Sequence, residues 1–318
     1  MDTKRIGLFV MAACVWLSSA ALAGPPPGMP DGWSDGFVYA NGIRIHYYHA
    51  TPQPGKPIVL MVHGASDIGL SWATLTQDLQ KSYDIYMTDT RGHGLSDPFS
   101  DTDNGETLIK DTVEFVRAMK FDRPILLGHS LGAGTVMRVG AEYPDLPRAV
   151  IMLDPGLGRQ RVGAPAAAPA AAATALPANP ATNPLAIAMV GAPQALVRQN
   201  NYAFDDLVAK CGQDNPMWDP LDCQYWALSK KQYHGPYTLA QSQAMRGTMT
   251  TNDALSRISV PALILKADAP PDIRKANEQA ASVMKNGKVV HVDGAKHNLH
   301  HDKRAKTVEL LTQFLNML

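Results

Sequence analysis

Gly128-His129-Ser130-Leu131-Gly132 combines residue types and spacing that suit nucleophilic attack on a carbonyl. The strand-like stretch Pro124–Leu127 precedes it, and helical spacing opens at Leu131. A serine at such a strand-to-helix turn has its hydroxyl lifted clear of the sheet, and the flanking glycines let the turn be sharp and the helix pack close. The N–H of Leu131 then lies at a helix N-terminus and faces the place where negative charge develops on an acyl oxygen. A second donor is expected from Ala65, because the apolar run Ile58–Val62 ends in His63-Gly64-Ala65 upstream of the serine. Together these residues outline acyl transfer, with Ser130 as nucleophile and the N–H groups of Leu131 and Ala65 as the oxyanion site.

The elements that must carry these groups alternate along the chain. Phe37–Tyr39 and Ile43–His49 read as a hairpin around Asn41-Gly42. Ile58–Val62, Asp84–Thr88, Ile125–Leu127, Ala149–Leu153, Ala262–Leu265 and Lys288–Val292 have strand length. Ser71–Gln80, Glu106–Met119, Leu131–Tyr143, Arg274–Met284 and Lys303–Met317 have helical spacing. Continuous apolar strands between amphipathic helices predict a mostly parallel sheet covered on both faces. The rhythm breaks between Leu157 and Leu255. Residues 163–184 are Ala/Pro-rich and of low complexity, a composition expected to be flexible. The rest of the break carries Tyr202, Phe204, Trp218, Tyr225, Trp226, Tyr233 and Tyr237 with several methionines, and reads as a helical lid.

The chain resembles α/β-hydrolase-fold serine hydrolases, the lidded esterases and lipases among them. The resemblance is carried by Val62-His63-Gly64-Ala65, Asp89-Thr90-Arg91-Gly92-His93-Gly94-Leu95-Ser96-Asp97, Gly128-His129-Ser130-Leu131-Gly132 and Gly294-Ala295-Lys296-His297. It covers residues 36 to 318 apart from the lid and implies an eight-stranded, mostly parallel sheet. It also implies a structural role for Asp89 and Arg91 in pinning a loop. His297 is the expected general base, since it follows the last strand and the Gly294-Ala295 turn and precedes the terminal helix. His300 and His301 read as the exposed start of that helix, and His129 is expected to point away from the nucleophile.

The sequence leaves the acid open. The resemblance implies a carboxylate just after Ala262–Leu265, where the usual position falls on Pro270. Asp268 lies two residues early and Asp272 two late. Asp154, at the end of Ala149–Leu153, is the favoured acid; Asp268 is the alternative and Asp272 a further one.

The N-terminus reads as an address. Lys4 and Arg5 precede the apolar Ile6–Leu17, and Ala21-Leu22-Ala23 has the A-x-A cleavage pattern of a secretory signal peptide. The expected organisation is a signal peptide at 1–23, a stiff Pro-rich linker at 24–35, the first core segment at 36–156, the lid at 157–255 and the second core segment at 256–318. Export would leave Cys211 and Cys223 in an oxidising compartment, where they are expected to pair.

Composition narrows the partners. The chain has 318 residues, with 29 Lys+Arg against 29 Asp+Glu and 45% apolar residues. That excludes a disordered charged tail, and the zero balance argues against nucleic acid as main partner. The G-x-x-x-x-G-K-[ST] and G-x-G-x-x-G phosphate cradles are missing from the sequence. The expected protein is a periplasmic or secreted hydrolase of carboxylic esters. It is expected to need no metal or organic cofactor and to have no stable membrane anchor. Its substrate is expected to be a small ester with an apolar group. Alternatives on the same residues are a lactonase, C–C hydrolase or acyltransferase, or a non-catalytic ligand-binding protein of this fold.

Overall fold

The computed structural model describes residues 28–157, 197–238, 241, 245 and 247–318. The expected signal peptide, Cys14 and the Ala/Pro-rich segment 163–184 lie outside the described residues.

Among the described residues eight strands form one sheet: β1 (Ser34–Ala40), β2 (Ile43–His49), β3 (Ile58–Val62), β4 (Asp84–Thr88), β5 (Ile125–His129), β6 (Ala149–Leu153), β7 (Ala262–Lys266) and β8 (Gly287–His291). Their order across the sheet is β1-β2-β4-β3-β5-β6-β7-β8. β1 and β2 form the expected antiparallel hairpin, β2 meets β4 antiparallel, and every pairing from β4 to β8 is parallel. This is the eight-stranded, mostly parallel sheet of the α/β-hydrolase fold.

The central strands are apolar along their whole length because both faces are covered. Val59, Met61, Ile125, Leu127, Ile151, Leu153, Leu263 and Leu265 enter one core with α1 (Ala73–Leu79) and the C-terminal helix α9 (Arg304–Leu315). Their neighbours Leu60, Val62, Leu126, Val150, Met152 and Ile264 enter the other, with α2 (Gly105–Ala118), α3 (Leu131–Glu142) and α6 (Thr251–Arg257). Side chains alternate across a strand, so each strand supplies both cores in turn.

Between β6 and β7 lie α4 (Phe204–Asp214) and α5 (Pro220–Lys231), which pack on each other. Cys211 of α4 and Cys223 of α5 form the expected disulfide, with Cα atoms 5.4 Å apart. Leu207, Trp218, Trp226 and the two cysteines make a small core of their own, while Tyr225, Leu221 and Leu228 reach the main core. Trp218, Tyr225, Trp226 and Tyr233 are thus buried in packing, whereas Tyr202, Phe204 and Tyr237 are exposed.

Several expected boundaries move. The linker expected at 24–35 overlaps β1, and Met29 and Trp33 are buried in the first core. The lid boundary at 255 falls inside α6, whose Ala254 and Leu255 are buried in the second core. The helix expected from Ser71 begins as a 3-10 turn at Gly69–Trp72. The helix expected from Arg274 starts earlier, as α7 (Pro271–Ala281). A proline in the first helical turn has the right φ and no amide hydrogen to orphan there, so Pro271 opens a helix instead of barring one. His300 and His301 are buried, not exposed, and occupy a separate short helix, α8 (Leu299–Asp302). Lys303, at φ −138°, breaks α8 from α9. The break lets the two imidazoles lie against Trp72 and Trp218, with ring centroids 4.8 and 4.5 Å apart.

Candidate active site

Ser130 sits between β5 and α3 with φ +52° and ψ −111°, a conformation that L residues rarely adopt and that costs about 1–3 kcal/mol. Two hydrogen bonds and the close packing of Gly132 hold it there. Its N–H donates to Leu153 of β6 at 2.9 Å, and its carbonyl accepts from Gly134 at 3.1 Å. Gly132 lies so close to the end of β3 that a Cβ would stand 2.1 Å from the Val62 carbonyl oxygen. The glycine thereby brings the start of α3 against the His63-Gly64-Ala65 turn.

The two expected oxyanion donors flank that approach. Neither the Leu131 nor the Ala65 N–H donates to a protein acceptor among the described residues. Every residue from 59 to 76 is buried apart from half-buried Ala65, and Leu131 is half-buried as well. Among the described residues both amides thus lack an acceptor, and both belong to partly exposed residues.

His297 lies on the loop after β8. Its Nε2 is 2.9 Å from Ser130 Oγ, and its Nδ1 is 2.5 Å from Asp154 Oδ2. The carboxylate can only accept, so Nδ1 carries the hydrogen and donates it. Nε2 is then left with a lone pair for the serine hydroxyl. Asp154, with φ +47°, follows β6, and its N–H donates to Leu265 at 2.7 Å. Its second oxygen accepts from the Ala267 N–H at 3.1 Å and stands 2.5 Å from Lys266 Nζ. Burial alone would raise this carboxyl; the His297 hydrogen bond and the Lys266 charge overcome it and hold the group down at about 2.

The alternative acids stand elsewhere. Asp268 pairs with Arg274 and accepts from the Gly294 N–H at 2.7 Å, which makes it a clasp for the loop leading to His297. Asp272 is exposed in the first turn of α7. Of the three carboxylates left open by the sequence, Asp154 is the one brought to the imidazole.

His129 faces away from Ser130, as expected, yet it braces the site. Its Nε2 donates to the His297 carbonyl at 3.0 Å, and its Nδ1 lies where a Cβ on Gly64 would come within 2.8 Å. The ring therefore touches both the base's backbone and the oxyanion turn. Burial and the neighbouring His297 push it down to about 3, so it is neutral. Asp89 and Arg91 do pin loops. Asp89 accepts from Gly69, Leu95 and His46, and Arg91 grips Asp111 with two nitrogens at 2.9 and 2.7 Å.

Two neighbours of the site escaped the sequence reading. Lys266 carries a signal that could have found it: a lone charge ending an apolar strand beside Asp154. Lys230 lies in a helix with no local mark of burial.

A cleft of ≈ 230 Å³ opens beside Ser130 and Leu131. Leu108, Ile109, Met137, Met245 and Met249 line it, with Thr135, Arg138, Thr250 and Thr251 among its polar members. The aromatic residues of the region between β6 and β7 do not line it among the described residues. Arg138 is occupied by Glu106 and Glu142.

A sequence model described as Alpha/beta hydrolase family matches residues 59–310. An N-formylmaleamate deformylase of Pseudomonas putida is 35% identical over 136 residues, 42% of this chain and 50% of that protein. Epoxide hydrolase 1 of Caenorhabditis elegans is 26% identical over 141 residues, 43% of this chain and 35% of that protein. The chain thus spans about a third to a half of these relatives. Among solved structures, an E-2-(acetamidomethylene)succinate hydrolase superposes with TM-score 0.66 at 18% identity, over 89% of this chain and 99% of the other. The naproxen esterase of Bacillus subtilis superposes with TM-score 0.65 at 13% identity, over 89% and 91%. These two likenesses are of fold.

Proposed function

The chain belongs to the Alpha/beta hydrolase family, and we propose that within it this protein is an exported serine hydrolase that cleaves carboxylic esters through an acyl-enzyme on Ser130. The observation that carries the reading is the continuous chain from Ser130 Oγ through His297 to Asp154, at 2.9 and 2.5 Å.

In this reading Ser130 attacks the ester carbonyl as His297 Nε2 takes its proton, a contribution of roughly 10²–10⁴-fold. The Leu131 and Ala65 N–H groups receive the oxyanion, each worth about 3 kcal/mol. His297 returns the proton to the leaving alcohol, then draws one from water as its oxygen attacks the acyl carbonyl, and gives that proton to Ser130 Oγ as the acyl–Oγ bond breaks and the acid leaves. Asp154 stays ionised, fixes the Nδ1–H tautomer and offsets the imidazolium charge. Leu108, Ile109, Met137, Met245 and Met249 on one side of the cleft beside Ser130 support an ester with an apolar acyl or alcohol group.

Epoxide opening, the activity in one relative's name, does not suit this nucleophile. Attack by Ser130 on an epoxide carbon leaves an alkyl ether, which has no carbonyl for water to attack. Amide cleavage, named in the deformylase, uses the same steps with an amine leaving group and is the second reading.

Export rests on the Lys4-Arg5, Ile6–Leu17 and Ala21-Leu22-Ala23 pattern, and the Cys211–Cys223 pairing supports it. A series of p-nitrophenyl esters of rising chain length, with an N-formyl amide alongside, tests the reading. Ester turnover with fluorophosphonate labelling lost in Ser130→Ala is expected. Absence of ester turnover, or labelling that persists in the variant, overturns it.

A further inference from the structure

Lys230 of α5 is fully buried, an expensive place for an ammonium. Its Nζ donates to the Ser66 carbonyl at 2.8 Å and to Ser66 Oγ at 3.2 Å. The Trp226 ring centroid lies 5.0 Å away, and Asp67 Oδ1 is 3.9 Å away. Burial lowers the ammonium to about 8, against a small opposing pull from Asp67.

Ser66 follows Ala65 and has φ +64°, a left-handed conformation that a serine holds only under constraint. Both its backbone groups are tied. Its N–H donates to His93 Nε2 at 3.1 Å, and its carbonyl is the one Lys230 holds. The Asp67 N–H closes the turn on the Gly64 carbonyl at 3.2 Å.

We propose that Lys230 is a positioning residue for the oxyanion site. Its ammonium locks Ser66 left-handed and so keeps the Gly64–Ser66 turn in the shape that presents the Ala65 N–H to the acyl oxygen. The α4–α5 pair, stapled by Cys211–Cys223, thereby reaches the reacting centre through one side chain. This inference rests on the ester-hydrolase reading and deepens it.

The test uses the intact protein and p-nitrophenyl butyrate. Lys230→Met is expected to lower kcat about tenfold or more, the scale of a misplaced oxyanion donor, while KM stays within about twofold. Glycine adopts positive φ without strain, so Ser66→Gly added to Lys230→Met is expected to restore most of the lost kcat. Should Lys230→Met not fold, Lys230→Leu, which likewise removes the donor to Ser66, takes its place. A trifluoromethyl ketone inhibitor should then weaken in step with the loss in kcat/KM. The proposal is overturned by a variant with unchanged kcat, by a loss confined to KM, by failure of Ser66→Gly to rescue, or by inhibitor affinity that does not follow kcat/KM. Wild-type protein that turns over no ester overturns the underlying reading instead, and that outcome is visible before any variant is made.

Discussion

Asp154 and His297 are 143 residues apart in sequence, yet the carboxylate oxygen and the imidazole Nδ1 lie 2.5 Å apart. Asp154 gets there because β6 lies between β5, which carries Ser130, and β7. Asp154→Asn loses the acceptor that selects the imidazole tautomer, so kcat should fall by about 10³–10⁴-fold with the fold intact. Asp268→Asn should stay within about threefold, since Asp268 clasps a loop at the surface. Steady-state kinetics on the two variants decides; equal losses would move the acid away from Asp154.

Lys266 holds the other oxygen of that carboxylate at 2.5 Å. The Asp154 carboxyl is depressed to about 2, below its ordinary value near 3.9. A depressed acid contributes stability above its unfolded pKa, lost as pH falls through the folded one, here ~2 kcal/mol between about pH 4 and 2. In Lys266→Met the carboxyl should titrate at higher pH, with that loss shifted upward. Carbon-13 NMR of the aspartate carboxyls measures it directly, and an unmoved titration would show that the ion pair does not hold the group down.

Gly132 and Gly134 offer a paired test on one helix. A Cβ at Gly132 meets the Val62 carbonyl oxygen at 2.1 Å, whereas one at Gly134 meets nothing within 4 Å. Gly132→Ala should force β3 and α3 apart and cost activity at least about a hundredfold, the scale of one lost oxyanion donor. Gly134→Ala should be silent or stabilise by a few tenths of a kcal/mol, because alanine is the better helix former. Melting and ester turnover compared between the two variants check this.

The disulfide spans 12 residues. By loop-closure entropy it contributes up to about 3 kcal/mol, so replacing Cys211 and Cys223 with serine should lower the unfolding midpoint. Reduction of the wild type with dithiothreitol should give the same shift. A midpoint unchanged by both treatments would show that the α4–α5 pair is stable without it.

Acid should destabilise the protein well before Asp154 protonates. Burial holds His63, His93, His129 and His300 below their ordinary range, so they stay neutral when folded and take up protons on unfolding below about pH 6.5. His46 opposes them, since Asp89 and Asp35 outweigh its burial and raise it. The balance favours the unfolded state as pH falls, at about 1.4 kcal/mol per pH unit for each net proton. Melting temperature should fall steadily from pH 7 to pH 5, and His129→Gln should flatten the slope. A flat profile would show that these imidazoles titrate normally.

Much of the architecture was legible in the letters. Apolar runs of strand length, helical spacing and the Asn41-Gly42 turn gave the alternation, because local periodicity is written in local sequence. Ser130 was legible for the same reason: two glycines between a strand and a helix declare a tight bend. His297 followed from its place after the last strand. The acid was legible only as a preference for Asp154, since Asp154, Asp268 and Asp272 all sit near strand ends, and residue type says nothing about which end meets the imidazole.

Tertiary structure settled what depends on neighbours remote in the chain. The order of β5, β6 and β7 set Asp154 beside His297, and the same packing set Lys266 on its other oxygen. It buried His300 and His301, which read as surface, against Trp72 and Trp218, and brought Lys230 to Ser66 across 164 positions. Turns and periods arise from interactions between adjacent residues, so one sequence reveals them. Which carboxylate, ammonium or imidazole stands at 3 Å from another is decided by the stacking of whole elements, and that is fixed when the two cores close on the sheet.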